Sequence, residues 1–193
     1  QHTRELPRAL SLFIGNITAA QANVRRLDAQ PDYNRVWQSG PTPEHMMMAQ
    51  VLDEMRRRGV FASIDLHNNT GHNPHYACVT ELRHPDLHLA SLFARTAVYF
   101  QQPTGVQTMA FAPLCPSITC ECGKVGDESG YDHAAQLVET CLHLADHPTH
   151  PVPHGDLHLF HTVATAKLAP NTTIGFDDSP ADLHCAPDLE WLN

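Results

Sequence analysis

The sequence predicts an α/β protein with a mixed, largely buried sheet flanked by helices, followed by the start of a β-rich unit. Three observations carry this. Short apolar runs alternate with segments whose apolar residues recur at helical spacing, the pattern of a sheet covered by helices. Hydrophobic residues make up 42% of the 193 residues and charged residues 17%, a balance that allows a sizeable core. Around 147–156 the composition shifts to Pro148, Pro151, Pro153 and Gly155 with His147, His150 and His154, and beyond it the apolar pattern turns to period two. The expected organisation is an α/β domain over 1–147, then a linker and an incomplete β-rich unit over 148–193.

Each element has its own reason. Residues 9–16 form an apolar run stopped by Gly15-Asn16 and read as a buried strand. Residues 17–40 are polar and Arg-rich, broken by Pro31 and Gly40, and read as a long loop with one helical turn. Thr42-Pro43-Glu44 opens a helix, with Thr as N-cap, Pro in the first turn and an acid beside it. Arg56-Arg57-Arg58-Gly59 closes that helix, suiting the dipole and the C-cap. Residues 60–66 read as a strand running into His67, and 76–80 as another. The stretch 85–99 has helical period. Residues 106–111 read as a strand, 117–123 as a short strand ending at Gly123, and 132–145 as a helix. Residues 157–163 alternate apolar and polar, and 172–176 and 188–191 are shorter pieces of the same kind. The apolar runs near Gln1 and up to Leu192 suggest a piece of a longer chain at both ends.

Charge and composition narrow the function classes. Twelve Lys and Arg against 21 Asp and Glu give −9, which argues against a footprint on a phosphate backbone. No apolar run approaches the roughly 20 residues of a membrane span, and no secretory signal is visible. Neither nucleic acid nor membrane is expected as a partner, and the expected compartment is the cytoplasm. The six Cys are then expected as reduced thiols. The 15 His make the charge sensitive to pH between about 7 and 5.5.

Three segments carry chemistry. In Ile64-Asp65-Leu66-His67, a His just past a buried strand sits at the sheet edge where ligands bind in α/β folds, and neutral imidazole is a natural Zn²⁺ ligand. Asp65 lies two residues back on the same strand face and is placed to orient the ring. Asp32-Tyr33-Asn34-Arg35, preceded by Arg25-Arg26, offers a guanidinium fork and an amide for a carboxylate. In Cys120-Glu121-Cys122-Gly123, a lone carboxylate stands at a strand end as a candidate general base. Strand alternation points both thiols away from the Glu121 face, so they read as small buried apolar residues rather than metal ligands.

In this order, over about residues 9–145, these segments resemble the succinylglutamate desuccinylase/aspartoacylase family of the zinc carboxypeptidase-like group. The matching pieces are Gly15-Asn16, Arg25-Arg26, Asp32-Tyr33-Asn34-Arg35, Asp65-Leu66-His67 with Thr70, and Glu121-Cys122-Gly123; Thr173-Ile174-Gly175-Phe176 and Leu192-Asn193 resemble the opening of the family's β-rich C-terminal unit. The resemblance implies a zinc carboxypeptidase-like fold and a Zn²⁺-dependent hydrolase of the deacylase or desuccinylase kind. Such an enzyme cleaves an amide bond next to a carboxylate in a small molecule or short peptide. By the same resemblance His67 is a Zn²⁺ ligand, and Glu121 is the base that activates water and then protonates the leaving amine. Arg25, or Arg26 in the alternative register, polarises the scissile carbonyl. Asn34 and Arg35 clamp the substrate carboxylate, with Arg26 grouped among the substrate-binding residues.

The sequence also departs from the family. The family's first two metal ligands belong to a His-Gly-Asn-Glu type motif, which does not occur here. His2 and Glu5 have the right spacing, but they lack the Gly and stand close before Gly15-Asn16. Two metal ligands are therefore expected to be missing from this sequence, leaving it inactive as it stands. Two other readings follow from the same residues. One is a metallocarboxypeptidase acting on peptides. The other is a non-catalytic module in which Arg35 and Arg25 hold an acidic ligand.

Overall fold

The computed structural model describes residues 5–69, 73–165, 167–175, 178 and 180–184. The chain folds as a mixed five-stranded sheet with helices against it, as the sequence predicts. The elements are α1 (Ile17–Gln21), α2 (Pro43–Arg58), β1 (Ser63–Asn69), β2 (Tyr76–Val79), α3 (His84–Phe93), β3 (Thr96–Tyr99), α4 (Gln107–Phe111), β4 (Ser117–Lys124), α5 (Glu128–His143) and β5 (His158–His161). A separate two-stranded sheet joins β6 (Ile174–Gly175) and β7 (Leu183–His184).

The sheet order is β1-β4-β2-β3-β5. β1 runs parallel to β4, β2 runs antiparallel to β4, and β2, β3 and β5 are parallel to one another. Alternation along the strands separates two faces. On one, Ala77, Val79, Ile118, Cys120 and Cys122 pack with Leu89 and Phe93 of α3 and Leu137 of α5. The reading of Cys120 and Cys122 as small apolar fillers holds, since both are buried in this layer. The five Cys among the described residues are unbridged. On the other face stand Asp65, His67, Thr119, Glu121, Tyr76 and Cys78.

Close backbone approach and a buried carboxylate paired with an exposed arginine hold the helices to the sheet. Gly130 in the first turn of α5 lies against the Cys122 carbonyl of β4, where a Cβ would collide. Asp86 of α3, 1% exposed, accepts two hydrogen bonds from Arg83 at 2.7 and 2.9 Å and one from the Ser117 amide at 3.0 Å. A buried carboxylate needs such partners, and together they fix the start of α3 to the start of β4.

α2 starts and stops where the sequence says, with Gly59 in the left-handed region at φ 70° and its amide closing on Arg56 and Met55. Three expectations fail. Residues 9–16 form no strand: Leu12 and Ile14 are 82% and 62% exposed, and β1 stays at the sheet edge without a strand on its outer side among the described residues. Side chains hold this stretch instead: Arg8 just before it donates to the Leu144 carbonyl and stacks on Phe61, Phe13 packs against Trp37, and Asn16 donates to Gln30. The 85–99 stretch is half helix and half strand, because pairing of Ala97 and Val98 with β2 overrides the helical period beyond Ala94. Residues 107–111 form a helix, with Thr108 and Phe111 buried three apart and Thr108 hydrogen-bonded to Thr119. Smaller shifts occur at the ends of β1, which extends to Asn69, and of α5, which starts at Glu128 with Asp127 as its N-cap.

β5 opens the stretch expected to form a second unit, and it pairs with β3 at the far edge of the main sheet. Residues 188–191, Phe176, Thr70, His2 and the terminal Leu192-Asn193 lie outside the described residues. Among the described residues no helix is long and apolar enough to cross a membrane.

Candidate active site

Two rows of side chains cross the open face of the sheet. The first is His67, Glu121 and Tyr76: His67 on β1 is in register with Glu121 on β4, which is in register with Tyr76 on β2. The second is Asp65, Thr119, Cys78 and Val98, crossing β1, β4, β2 and β3. His67 thus lies within the strand rather than past it, and pairing with β4 fixes it beside Glu121.

His67 is oriented as the sequence suggests. Its Nε2 donates to Asp65 Oδ2 at 2.9 Å, which leaves Nδ1 for a ligand. Burial favours the neutral ring, but the hydrogen bond from His67 to Asp65, the Asp65 charge and the Glu121 charge outweigh it and raise the His67 pKa. Glu121 is shifted upward too. Burial is the main cause; His67, the nearby Asn69 amide and Arg25 pull the other way, while Asp65 adds to the rise. Glu121 Oε2 and both polar atoms of the Asn69 side chain are buried, with no hydrogen-bond partner among the described residues. That oxygen is closed to solvent and stands beside the Asn69 amide, so Glu121 meets the cavity through the rest of its side chain.

The Arg-rich loop folds over this face. Asp32 accepts from the Asn34 amide at 3.0 Å and from Arg25 Nε and a terminal nitrogen at 3.2 and 2.9 Å. Burial works against the Asp32 charge, yet the Asn34 amide, Arg25 and Arg35 outweigh it and hold this carboxyl below its usual range. The short helical turn Tyr33–Arg35 that follows is anchored by Trp37, whose amide donates to the Gly105 carbonyl at 3.1 Å. Gly105 has φ 74°, and a Cβ there would strike the Arg35 carbonyl. Only glycine suits that position.

Asn34, Arg35, His67 and Glu121 line one cavity of about 410 Å³. The four sequence candidates from three separate segments are therefore brought together. Arg25 does not line the cavity, but its charge is felt at both His67 and Glu121. Arg26 is exposed and lies outside the lining. Of the two registers, the structure places Arg25 nearer the site. Glu5 is exposed.

Sequence reading missed Tyr76, Cys78 and Thr119, which form the cavity floor. The signal was present. Residues 76 and 78 alternate with the core residues Ala77 and Val79, so they face the other side. Burial and the Glu121 charge keep the Tyr76 phenol protonated, and burial pushes the Cys78 thiol up to about 12. Both are neutral hydrogen-bonding or apolar groups.

The residues described do not by themselves make a zinc site. Catalytic Zn²⁺ takes three protein ligands. Among the described residues no three His, Cys, Asp or Glu side chains converge, and His67 is the one imidazole lining the cavity.

No family model matches the sequence, and no curated protein matches it. Solved structures match in fold. A succinylglutamate desuccinylase from Chromobacterium violaceum superposes with a TM-score of 0.62 at 19% identity, over 87% of this chain and 58% of that one. A protein described as succinylglutamate desuccinylase/aspartoacylase from Rhodobacter sphaeroides gives 0.59 at 19% identity, over 82% and 54%. The Vibrio parahaemolyticus succinylglutamate desuccinylase gives 0.53 at 17%, over 87% and 62%. The chain thus spans 54–62% of the length of these structures. At such identities the likeness establishes the fold, and the resemblance read from the motifs is borne out at that level.

Proposed function

We propose that this chain carries the substrate-binding and acid–base part of a hydrolase site that cleaves an amide C–N bond next to a carboxylate, in the manner of a deacylase. One observation carries the reading: a clamp for a carboxylate, Asn34 and Arg35, and a half-buried carboxylate, Glu121, line the same cavity. The fold shared with desuccinylase structures supports it.

In this reading Arg35 and Asn34 hold the substrate carboxylate and fix the amide over the His67–Glu121 row. Positioning of this kind supplies a large share of a hydrolase's rate. Glu121 takes a proton from the attacking water and delivers it to the departing amine. Its upward-shifted pKa brings it nearer the operating pH, which suits a group that must do both. Arg25, paired with Asp32 and outside the cavity lining, contributes to an oxyanion only through its charge, which is felt at His67 and Glu121. A Zn²⁺ ion, which the resemblance implies, supplies Lewis-acid activation of water when bound. Among the described residues His67 is the one imidazole at the cavity, too few ligands for a zinc site.

The single imidazole favours a second reading, a binder of acidic ligands without turnover. The test is hydrolysis of N-acyl amino acids by the Zn²⁺-supplemented protein. Glu121→Gln is expected to lower kcat by about 10²–10⁴, and Arg35→Lys to fail to restore binding because an ammonium has no bidentate fork. Binding of these compounds without any turnover would favour the binder.

A further inference from the structure

Resting on the hydrolase reading and deepening it, we propose that the site takes a substrate with one carboxylate and a large apolar side chain, rather than a polyanionic one. The cavity is polarised across the sheet. On the β1–β4 side stand His67, Glu121 and Thr119. On the β2–β3 side and below it the wall is mainly Cys78, Val98, Phe100, Pro103 and Val106, with Tyr76 and with Gln102 and Thr162 as its polar members. Register explains the division. Tyr76 continues the His67–Glu121 row, and Cys78 and Val98 continue the Asp65–Thr119 row, so one face passes from charged to apolar in two strand spacings. Phe100 follows Val98 by two residues and stays on that face. The loop to Val106 then closes the wall at the start of α4.

Charge in the lining points the same way. Among the described lining residues Arg35 is the one permanently cationic side chain, and Glu121 is an anion facing the same space. A ligand with three carboxylates would meet one guanidinium and a carboxylate, and would press its remaining charges against an apolar wall. Unpaired charge against such a surface is strongly disfavoured. A monoanion with a benzyl or isobutyl group would satisfy Arg35 and bury its apolar group. Arg25 adds little for a second carboxylate, since Asp32 already occupies it. A volume of about 410 Å³ holds an N-acyl amino acid of that size.

The test uses binding, not turnover, in the 193-residue chain. N-acetyl-L-phenylalanine, N-acetylglycine and N-succinyl-L-glutamate are titrated calorimetrically near physiological salt. The phenylalanine compound is expected to bind at least about tenfold more tightly than either of the others, as burial of a benzyl group gives. Val98→Thr, which keeps the volume and adds a hydroxyl, and Phe100→Leu are each expected to shrink that ratio by about threefold or more. Tighter or equal binding of N-succinyl-L-glutamate overturns the proposal, and so does a phenylalanine compound that binds no better than N-acetylglycine or not at all. Absent turnover with the preference intact would instead count against the hydrolase reading alone.

Discussion

His67 and Glu121 stand at matched positions on parallel strands, and each shifts the other's titration: the Glu121 charge raises the His67 pKa, and His67 lowers that of Glu121. Burial acts on each in the opposite sense. Each pKa is therefore a balance, with the Asp65 hydrogen bond raising that of His67 and burial raising that of Glu121.

Asp65→Asn should expose this balance. In metal-free protein the His67 ring is expected to titrate above its ordinary value of about 6.5, and in the variant below the wild-type value, because burial then meets less opposition. The contribution of a raised His to stability is full below about pH 6.5 and fades as pH rises through the elevated folded value. The variant should therefore lose more stability at pH 6 than at pH 9. Ring-proton NMR titration and unfolding curves at the two pH values check it; an unshifted ring would rule it out.

Glu121→Gln should separate stability from activity. The raised pKa means that the protonated form suits the fold. Stability linked to Glu121 is full below about pH 4.3 and falls as pH rises through the elevated folded value. At pH 7 the neutral amide removes that penalty, so the variant is expected to melt a few degrees higher. Near pH 4 the gain should vanish. A variant that melts lower at pH 7 would show that the charged carboxylate is well satisfied.

Gly105→Ala and Gly59→Ala form a controlled pair. Both positions have φ near +70°, but a Cβ at Gly59 meets nothing within 4 Å, whereas one at Gly105 meets the Arg35 carbonyl. Gly59→Ala should cost about 1 kcal/mol from conformation alone. Gly105→Ala should cost about 2–3 kcal/mol and loosen the Asn34–Arg35 turn. Equal costs in denaturant unfolding would remove the contact from the account.

Gly130→Ala reverses a familiar sign. In an open helix Ala is about 1 kcal/mol better than Gly. Here the new methyl would land on the Cys122 carbonyl, so the variant is expected to lose about 1–3 kcal/mol. A more stable variant would mean that α5 can lift from β4 at little cost.

The parts legible in the sequence are those set locally. α2 declares itself by Thr42, Pro43 and Gly59. Asp65 and His67 could be placed on one face of β1 by alternation alone, and Glu121 on the face of β4 away from Cys120 and Cys122, while the register of β1 against β4 was needed to bring them together. What failed depended on partners remote in sequence. The helical period of 85–99 ends where β3 finds β2, and 107–111 turns helical because Thr108 reaches Thr119. The 9–16 run carries the composition of a strand but pairs with no strand, although the outer edge of β1 is open among the described residues. Tyr76 and Cys78 were visible as alternating residues, yet their role in the cavity needed the register of β2 against β4.

The two strands that carry the site are not equally secure. β4 is hydrogen-bonded on both sides, while β1 has β4 alone among the described residues. Edge strands open locally at a lower free-energy cost than interior ones. His67 and Asp65 thus ride on an element that can fray while Glu121, Thr119 and the core layer stay in place. Amide exchange along Ser63–Asn69 should outpace that along Ser117–Lys124, and the residence time of His67 beside Glu121 is then governed by the breathing of one sheet margin.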